Sequence, residues 1–303
     1  MSQKSTSEPR PTVAIIGAGR LGQALAIALS RRDYPIVALV ARHRRKAEQA
    51  AAAMNNNGRK PRALISTELA QLPDADIILI ATPDDAIQET AQQLSRILTK
   101  TRATVLHTSG ALSSEILDSL AEKHFETGSI HPLVSISTPA AGAEALRGAF
   151  YCLEGTRKAK AVAASLVRTL GGSSFTVSRE NKTLYHAAAV MVSPHLVSLF
   201  DLATELLEAC GLSKRKSREV LAPLLASTVS NLKTADASRA LTGTFARGDI
   251  ATVRAHLAAL SGKELARARE VYKLLGLHSL ELAEQRGLDP RLSSQIHKLL
   301  TEN

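Results

Sequence analysis

A glycine-rich turn between an apolar strand and a helix most constrains how this chain can fold. Residues 12–16 are apolar or β-branched and predict a short buried strand, and a run with helical periodicity begins a few residues later. Between them, Gly17 permits a tight turn, Gly19 lets the backbone approach a pyrophosphate, and Gly22 lets the helix pack against the strand. The amides of the helix N-terminus then face the phosphates. We therefore expect one stretch to bind a dinucleotide: Gly17, Ala18, Gly19, Arg20, Leu21 and Gly22.

The residues after the second predicted strand indicate which dinucleotide binds. The strand over 36–40 is followed by Ala41 and a run of cations, and no carboxylate occurs before Glu48. A site for NAD places an acidic residue here to bind the ribose hydroxyls, whereas a guanidinium suits a 2′-phosphate. We therefore predict NADP(H) as the cofactor and Arg42 as the residue that binds its 2′-phosphate. The remaining cations of the run are Arg44, Arg45 and Lys46. We expect at least two of these three to form the solvated start of a helix.

Length and composition favour a two-domain protein of the cytoplasm. The chain has 303 residues, of which 45% are hydrophobic, and no apolar run approaches the ~18 residues of a membrane helix. The first eleven residues are polar and lack the apolar segment of a secretory signal. Cys152 and Cys210 match no metal or redox spacing, so we expect buried, reduced thiols and no metal site.

The chain is strongly basic, with a formal net charge of +10 and a pI of about 9.8. This charge raises the alternative of nucleic-acid binding. However, aromatic residues make up only 3% of the chain, and the basic residues are scattered along it. A basic surface also attracts small phosphorylated or carboxylated molecules. We therefore predict a small-molecule substrate and no nucleic-acid partner.

The pattern of elements predicts an α/β domain followed by an all-helical one. Strand and helix signals alternate down to residue 178, which favours a doubly wound, Rossmann-like sheet over residues 11–178. Residues 179–303 predict helices only, with Gly211, Gly276 and Gly287 as helix ends. The predicted strands are 13–16, 36–40, 63–65, 77–81, 104–107, 127–130, 151–154 and 175–177.

Three polar loops follow predicted strands, where ligands bind in open α/β sheets. We expect Thr82 and Pro83 to contact the cofactor, and Asp84 and Asp85 to be N-terminal residues of the next helix. Ser109 is expected near the nicotinamide. The residues expected to contact substrate in the next two loops are Gly110 and His131, although His131 before a proline can equally be a structural hydrogen-bonding group.

The predicted helical domain opens with ionisable residues at helical spacing. Lys182 and His186 share a face with Tyr185 beside them, and such groups are suitable general acids for reducing a carbonyl or an imine. The alternative is a solvated lysine and a histidine packed in the core. Further along, a polar loop could hold a substrate carboxylate or phosphate through Thr242, Gly243 and Arg247, and Asp249 is expected to cap the following helix.

These motifs resemble known families. The sequences GAGRLG, ATPDDAI, HTSG and IHPL resemble the NADP-dependent superfamily of β-hydroxyacid dehydrogenases, pyrroline-5-carboxylate reductases and prephenate dehydrogenases. Over nearly all its length, the chain is similar to a bacterial family that joins a Rossmann-like domain to a helical domain of unknown function. HTSGALSSEIL, SIHPL, YHAAA and LTGTFARGD carry that likeness.

The resemblance implies an oxidoreductase that forms a homodimer through its helical domain. Lys182 matches the catalytic lysine of the β-hydroxyacid dehydrogenases by position. The slot of their catalytic asparagine falls on Pro194, which cannot donate a backbone hydrogen bond and should kink the helix. Relatives also tend to have proline where this chain has Thr244.

The leading hypothesis is hydride transfer between NADP(H) and a small, anionic carbonyl, hydroxyl or imine compound. Ser109 would orient the substrate, Lys182 or His186 would transfer the proton, and Arg247 or the Thr242–Gly243 turn would hold the anionic group. The alternative is a non-catalytic NADP(H)-binding sensor or a partner-binding protein, because fold alone does not decide function.

Overall fold

The computed structural model describes residues 10–54, 60–99 and 102–302, and the polar N-terminal residues before Arg10 lie outside this part. The chain divides into two compact units between Ser193 and Pro194. The predicted boundary was at residues 178 and 179. The difference arises because the helix that carries Lys182 belongs to the sheet unit, where its lysine is bound to strand residues.

The first unit contains one eight-stranded sheet with the order β3-β2-β1-β4-β5-β6-β7-β8. Neighbouring strands are parallel except β6 and β7, which are antiparallel. The eight predicted strands are confirmed, and their ends lie within two residues of the predicted ones. Their bounds are β1 Val13–Ile16, β2 Ile36–Ala41, β3 Arg62–Ile65, β4 Ile77–Ile80, β5 Thr104–His107, β6 Glu126–Pro132, β7 Phe150–Gly155 and β8 Ser173–Thr176.

Helices cover both faces of this sheet, so its inner strands are continuous apolar runs. Alternate residues of β1 enter two different cores: Val13 and Ile15 one, Ala14 and Ile16 the other. After β5 the chain forms a 3-10 turn, Ser114–Leu117, and one short helix, Asp118–Ala121. The helices of this unit are α1 Arg20–Ser30, α2 Arg44–Ala52, α3 Ile87–Ile97, α4 Asp118–Ala121, α5 Pro139–Ala145, α6 Arg157–Leu170 and α7 Lys182–Val192.

The second unit is helical throughout its described residues, as the sequence predicts. Its helices are α8 Pro194–Ala209, α9 Lys214–Thr234, α10 Ala237–Ala240, α11 Thr244–Arg247, α12 Ile250–Ala259, α13 Ala266–Glu284 and α14 Pro290–Thr301. The predicted break at Pro194 is confirmed, because α7 ends before it and α8 begins on it. Gly211 and Gly287 follow helix ends with left-handed backbones, as predicted. Gly276, however, lies inside α13, so its predicted role as a helix end is wrong.

One cysteine and one apolar helical stretch differ from the sequence-based expectations. Cys152 is buried as predicted, but Cys210 is exposed. Among the described residues, one helical stretch, Arg179–Ala209, is long and apolar enough to cross a membrane by length and composition, with a mean hydropathy of 1.4. No uninterrupted apolar run marks it in the sequence, because His186, Ser193 and other polar residues divide it. Only 6% of its most apolar window is buried.

Candidate active site

A cavity of about 810 Å³ opens at the carboxyl ends of β1, β2 and β4, where the strand order reverses. Open α/β sheets bind ligands at this position. The cavity is lined on one side by the glycine-rich loop, on a second by the residues after β2, and on a third by the loop after β4. Predicted cofactor residues that line it are Gly17, Ala18, Gly19, Arg42, Thr82 and Pro83.

The three glycines of the loop have distinct steric environments. Gly17 has a φ of 111°, and a Cβ there would lie 2.4 Å from the Ala81 backbone. A Cβ on Gly22 would lie 1.9 Å from the Gly17 carbonyl oxygen, whereas a Cβ on Gly19 would meet no atom within 4 Å. The loop therefore leaves open space where a pyrophosphate approaches. Arg20, Leu21 and Gly22 belong to the first turn of α1 and are not among the cavity-lining residues.

One end of the cavity is cationic. Arg42, His43 and Lys46 all line it, so Lys46 is a cavity residue and not only part of a solvated helix start. Arg44 turns away: it pairs with Glu68 and donates a hydrogen bond of 3.4 Å to the Ala63 carbonyl. Two hydroxyl residues after β3, Ser66 and Thr67, line the same end. They were not predicted, although residues that directly follow a parallel strand are expected near a ligand site.

The loop after β4 contributes to the cavity a polar residue whose side chain has no hydrogen-bond partner. The Thr82 hydroxyl oxygen is buried and has no hydrogen-bond partner. A buried polar atom without a partner is costly unless a ligand or water satisfies it. Together with the open backbone at Gly19 and the cations near Arg42, it gives the cavity a donor set that fits a phosphorylated dinucleotide.

The Ser109 side chain forms hydrogen bonds within its own region of the protein, which differs from its predicted role in orienting a substrate. Its hydroxyl donates a hydrogen bond of 2.8 Å to the Asp84 carboxylate and accepts bonds from the amides of Ala111 and Leu112. A hydroxyl has one donor and two acceptor sites, so all three are in use within the loop. The side chain therefore holds the loop, and the predicted orientation of substrate by this hydroxyl is not supported. Asp84 starts a 3-10 turn as expected and also bridges to this loop.

Lys182 is a deeply buried ionisable group of this region. Its side chain is 1% exposed, and its Nζ donates to the Ser129 hydroxyl at 2.9 Å and to the Ser109 carbonyl at 3.3 Å. Burial lowers the pKa of Lys182, and the nearby carboxylates Glu154 and Asp84 act in the opposite direction. The alternative of a solvated lysine is therefore wrong.

Two imidazoles, those of His131 and His186, lie against Gly110, and the phenol of Tyr185 contacts one of them. His131 Nδ1 lies 2.6 Å from the Tyr185 hydroxyl, and the rings of His131 and His186 meet edge to face with centroids 5.7 Å apart. Burial, followed by electrostatic interaction with Lys182 and then with His186, lowers the pKa of His131 to about 4. His131 lies within the end of β6 and not in the loop predicted to follow that strand, and it meets the predicted residues of α7 and of the loop after β5.

Two buried residues that support this region were not predicted as part of it. His107 Nδ1 accepts a hydrogen bond of 3.2 Å from the Ser109 amide, and its Nε2 donates one of 3.2 Å to the Ser113 carbonyl. Burial, together with Lys182, lowers the pKa of His107 to about 3. The Glu154 carboxylate accepts bonds of 2.7 and 2.8 Å from the amide and hydroxyl of Ser114. Both residues fix the loop after β5.

The remaining predicted substrate residues belong to the second unit. Gly243, with a φ of 83°, precedes α11, and the exposed Thr242 and Arg247 lie on either side of that turn. Asp249 caps α12 by accepting a bond from the Thr252 amide, as predicted. An anion-binding role for this turn stays a prediction. Within the described residues, no group of three His, Cys, Asp or Glu side chains is placed to hold a metal ion.

The chain matches two known domain families. Residues 2–132 match the Rossmann-like domain, and residues 149–279 match a domain of unknown function, DUF2520. The chain therefore combines a Rossmann-like domain with a DUF2520 domain, which confirms the predicted resemblance.

Solved structures share this fold. A proposed NADP oxidoreductase from Bacteroides fragilis is similar with a TM-score of 0.70 and 23% identity, over 90% of this chain and 99% of that one. A pyrroline-5-carboxylate reductase from Coxiella burnetii has a TM-score of 0.56 and 15% identity, over 97% and 99% of the two chains.

One curated relative is a glycerol-3-phosphate dehydrogenase [NAD(P)+] from Sinorhizobium fredii. It is 26% identical over 222 residues, which are 70% of this chain. The chain spans 63% of that relative's length.

Proposed function

We propose that this protein is an NADP(H)-dependent oxidoreductase that acts on a small, anionic carbonyl or hydroxyl compound or imine. The observation that carries the proposal is the continuity between the cavity and the buried polar groups. Pro83 lines the cavity, the adjacent Asp84 accepts a hydrogen bond from Ser109, and the Ser109 carbonyl accepts one from Lys182. The nucleotide-binding loop and the ionisable groups thus lie on one connected edge of the sheet.

The residues of the cavity would hold the cofactor by three kinds of contact. Backbone amides between Gly17 and Gly19 would bind the pyrophosphate. Arg42 and Lys46 would bind the 2′-phosphate through charge-assisted hydrogen bonds. The Thr82 hydroxyl, which has no hydrogen-bond partner in the protein, would form a hydrogen bond with the cofactor. When bound, the reduced nicotinamide supplies the hydride.

The chain's own ionisable groups would bind the substrate and handle the proton. The lowered pKa of Lys182 lets its ammonium release a proton more readily than an ordinary lysine, which suits a general acid. His186 borders Gly110 and is half-buried, so it is the second candidate. The net charge of +10 of the whole chain favours an anionic substrate. The named activities of the relatives support the same oxidoreductase class.

Cofactor preference gives the direct test. We expect NADPH to bind at least tenfold more tightly than NADH, or by about 1.4 kcal/mol. Arg42→Ala should remove most of this preference, while Arg45→Ala is the matched control because Arg45 is exposed and does not line the cavity. Equal affinity of the native protein for both nucleotides would contradict the proposal. NADPH binding without turnover on any of a broad set of keto acids and imines would favour the non-catalytic alternative.

We also propose that the protein is a homodimer. Large apolar side chains are exposed on several helices of both units: Leu184, Met191, Val192, Val197, Leu224 and Leu274 are each at least 63% exposed. Contiguous exposed apolar surface marks interaction sites, and two-fold dimers are the commonest assemblies.

Light scattering tests this assembly. The native protein should have twice the 32.3 kDa mass of the chain, and Leu224→Glu should weaken the dimer. Phe150→Glu is the matched control, because Phe150 is a similarly exposed apolar residue on a strand and not on a helix. A native protein that scatters only as a 32.3 kDa species at micromolar concentration would contradict the dimer.

A further inference from the structure

A hydrogen bond joins Tyr185 of α7 to His131 at the end of β6. The hydroxyl lies 2.6 Å from His131 Nδ1, and the two rings meet edge to face with centroids 5.7 Å apart. Phe175 of β8 packs against the Tyr185 ring at 5.7 Å, and Lys182 Nζ lies 5.9 Å from its centroid. The Tyr185 ring is therefore held by neighbours on three elements.

The protonation states give this hydrogen bond a direction. The lowered pKa of His131, about 4, leaves its imidazole neutral near pH 7. Burial raises the pKa of the Tyr185 phenol, so the phenol keeps its proton. A neutral imidazole has one acceptor nitrogen and one donor nitrogen. The thiol of Cys152 also lies within hydrogen-bonding range of the Tyr185 hydroxyl, but a thiol sulfur is a weaker acceptor than an imidazole nitrogen. The phenol thus donates to Nδ1, and the hydrogen of the imidazole is on Nε2.

The Nε2 edge of His131 lies against Gly110. A Cβ on Gly110 would lie 2.8 Å from both Cε1 and Nε2 of His131, and 2.4 Å from Cδ2 of His186. Both rings thus pack directly against Gly110, at a distance that no residue with a Cβ would permit. His131 is only half-buried.

We propose that Tyr185 is a positioning residue that holds His131 with its hydrogen on Nε2, so that the half-buried His131 donates a hydrogen bond from Nε2 to a substrate oxygen. The substrate part of this inference rests on the proposed function. Reduction of a carbonyl moves the electron pair of the C=O bond onto oxygen, and a fixed N–H donor stabilises that charge.

The arrangement also narrows the substrate class to carbonyl or hydroxyl compounds. An oxygen has lone pairs that accept from Nε2–H. A protonated imine nitrogen has none, and its positive charge is repelled by Lys182. Within the proposed range of substrates, the site therefore favours oxo and hydroxy acids over cyclic imines.

Histidine tautomers measured by NMR test the first part without any substrate. In protein labelled with ¹⁵N-histidine, native His131 should show a protonated Nε2 and an unprotonated Nδ1, with the signal assigned by His131→Gln. Tyr185→Phe removes only the hydroxyl and should give a mixture of both tautomers. Tyr272→Phe is the matched control, because the Tyr272 hydroxyl lies 2.9 Å from His256 Nδ1 in the second unit. It should change the signal of His256 and leave that of His131 unchanged.

A native His131 with its hydrogen on Nδ1 would overturn the inference, and so would a Tyr185→Phe variant with an unaltered His131 tautomer. The native measurement decides this even if the variant is unstable. In turnover assays, Tyr185→Phe should lower kcat by on the order of 10- to 100-fold, as for other groups that orient a functional histidine, with NADPH affinity retained. Faster turnover of cyclic imines than of oxo acids would refute the substrate assignment. Absence of turnover with every compound would refute the oxidoreductase, while the tautomer measurement would still decide the role of Tyr185.

Discussion

A single methyl group at Gly110 should disable the site while the fold persists. Gly110 is buried between His131 and His186, and its backbone is not left-handed, so Gly110→Ala introduces no backbone strain. The three atoms nearest to such a Cβ all belong to the two imidazole side chains. We therefore expect the rings to move and the loop to keep its course.

The size of the effect follows from the distances. Ordinary contact of a Cβ begins at 3.4 Å, and His186 Cδ2 would lie at 2.4 Å, so this ring must withdraw by about 1.0 Å (3.4 − 2.4). Displacement of an aligned group by about 1 Å can reduce turnover on the order of 10²-fold. Overpacking of this kind costs about 1–3 kcal/mol, which should lower the melting temperature without preventing folding.

Turnover, nucleotide titration and thermal unfolding together measure this outcome. Gly19→Ala is the matched control, because a Cβ there meets no atom within 4 Å and enters the open space of the cavity. We expect Gly19→Ala to weaken NADPH binding at unchanged stability, and Gly110→Ala to retain NADPH binding with reduced turnover. Native turnover in Gly110→Ala, or a loss of NADPH affinity equal to that of Gly19→Ala, would refute the reasoning.

The sequence was sufficient to predict the sheet and the nucleotide loop because their signals are local. Apolar runs such as Ile77–Ile80 are buried on both faces and need no knowledge of their neighbours to be identified as strands. The three glycines of the loop likewise follow one another within six residues. The C-terminal helices were predictable in part from caps such as Asp249, whose side chain accepts a bond from the Thr252 amide.

The errors come from contacts between distant segments. Gly276 was predicted to end a helix, but a Cβ there would lie 2.9 Å from the Phe245 ring, so this glycine permits close packing inside α13. The Ser109 hydroxyl is saturated partly by Asp84, which lies 25 residues away in the sequence. No local pattern reports either contact.

The pairing of His131 with Tyr185 shows the same limit for the site. The sequence places His131 after a strand and Tyr185 on a helix, but 54 residues separate them. Only the return of the chain from β8 into α7 brings the phenol to the imidazole. The residue types were therefore predictable, whereas the tautomer and the hydrogen-bond partners required the tertiary structure.

Two further groups of variants separate chemistry from stability. Lys182→Ala and His186→Ala should leave NADPH affinity nearly unchanged and lower turnover by ~10²–10⁴-fold, as expected for a lost general acid or base. If His186→Ala lowers only the melting temperature, and the folded fraction keeps its activity, the catalytic role of His186 is wrong. Acid should destabilise the protein through its buried imidazoles. His107 and His131 have folded-state pKa values of about 3 and 4, below the ordinary 6.5. As the pH falls from 6.5 towards 4, the unfolded chain binds protons that the folded chain does not, so the free energy of unfolding decreases. In His107→Gln, the glutamine can donate to Ser113 and accept from Ser109 but does not titrate. In urea unfolding, the free energy of unfolding of this variant should therefore fall less between pH 6.5 and 4 than that of the native protein. An equally steep loss in the variant would mean that His107 is not kept neutral by its burial.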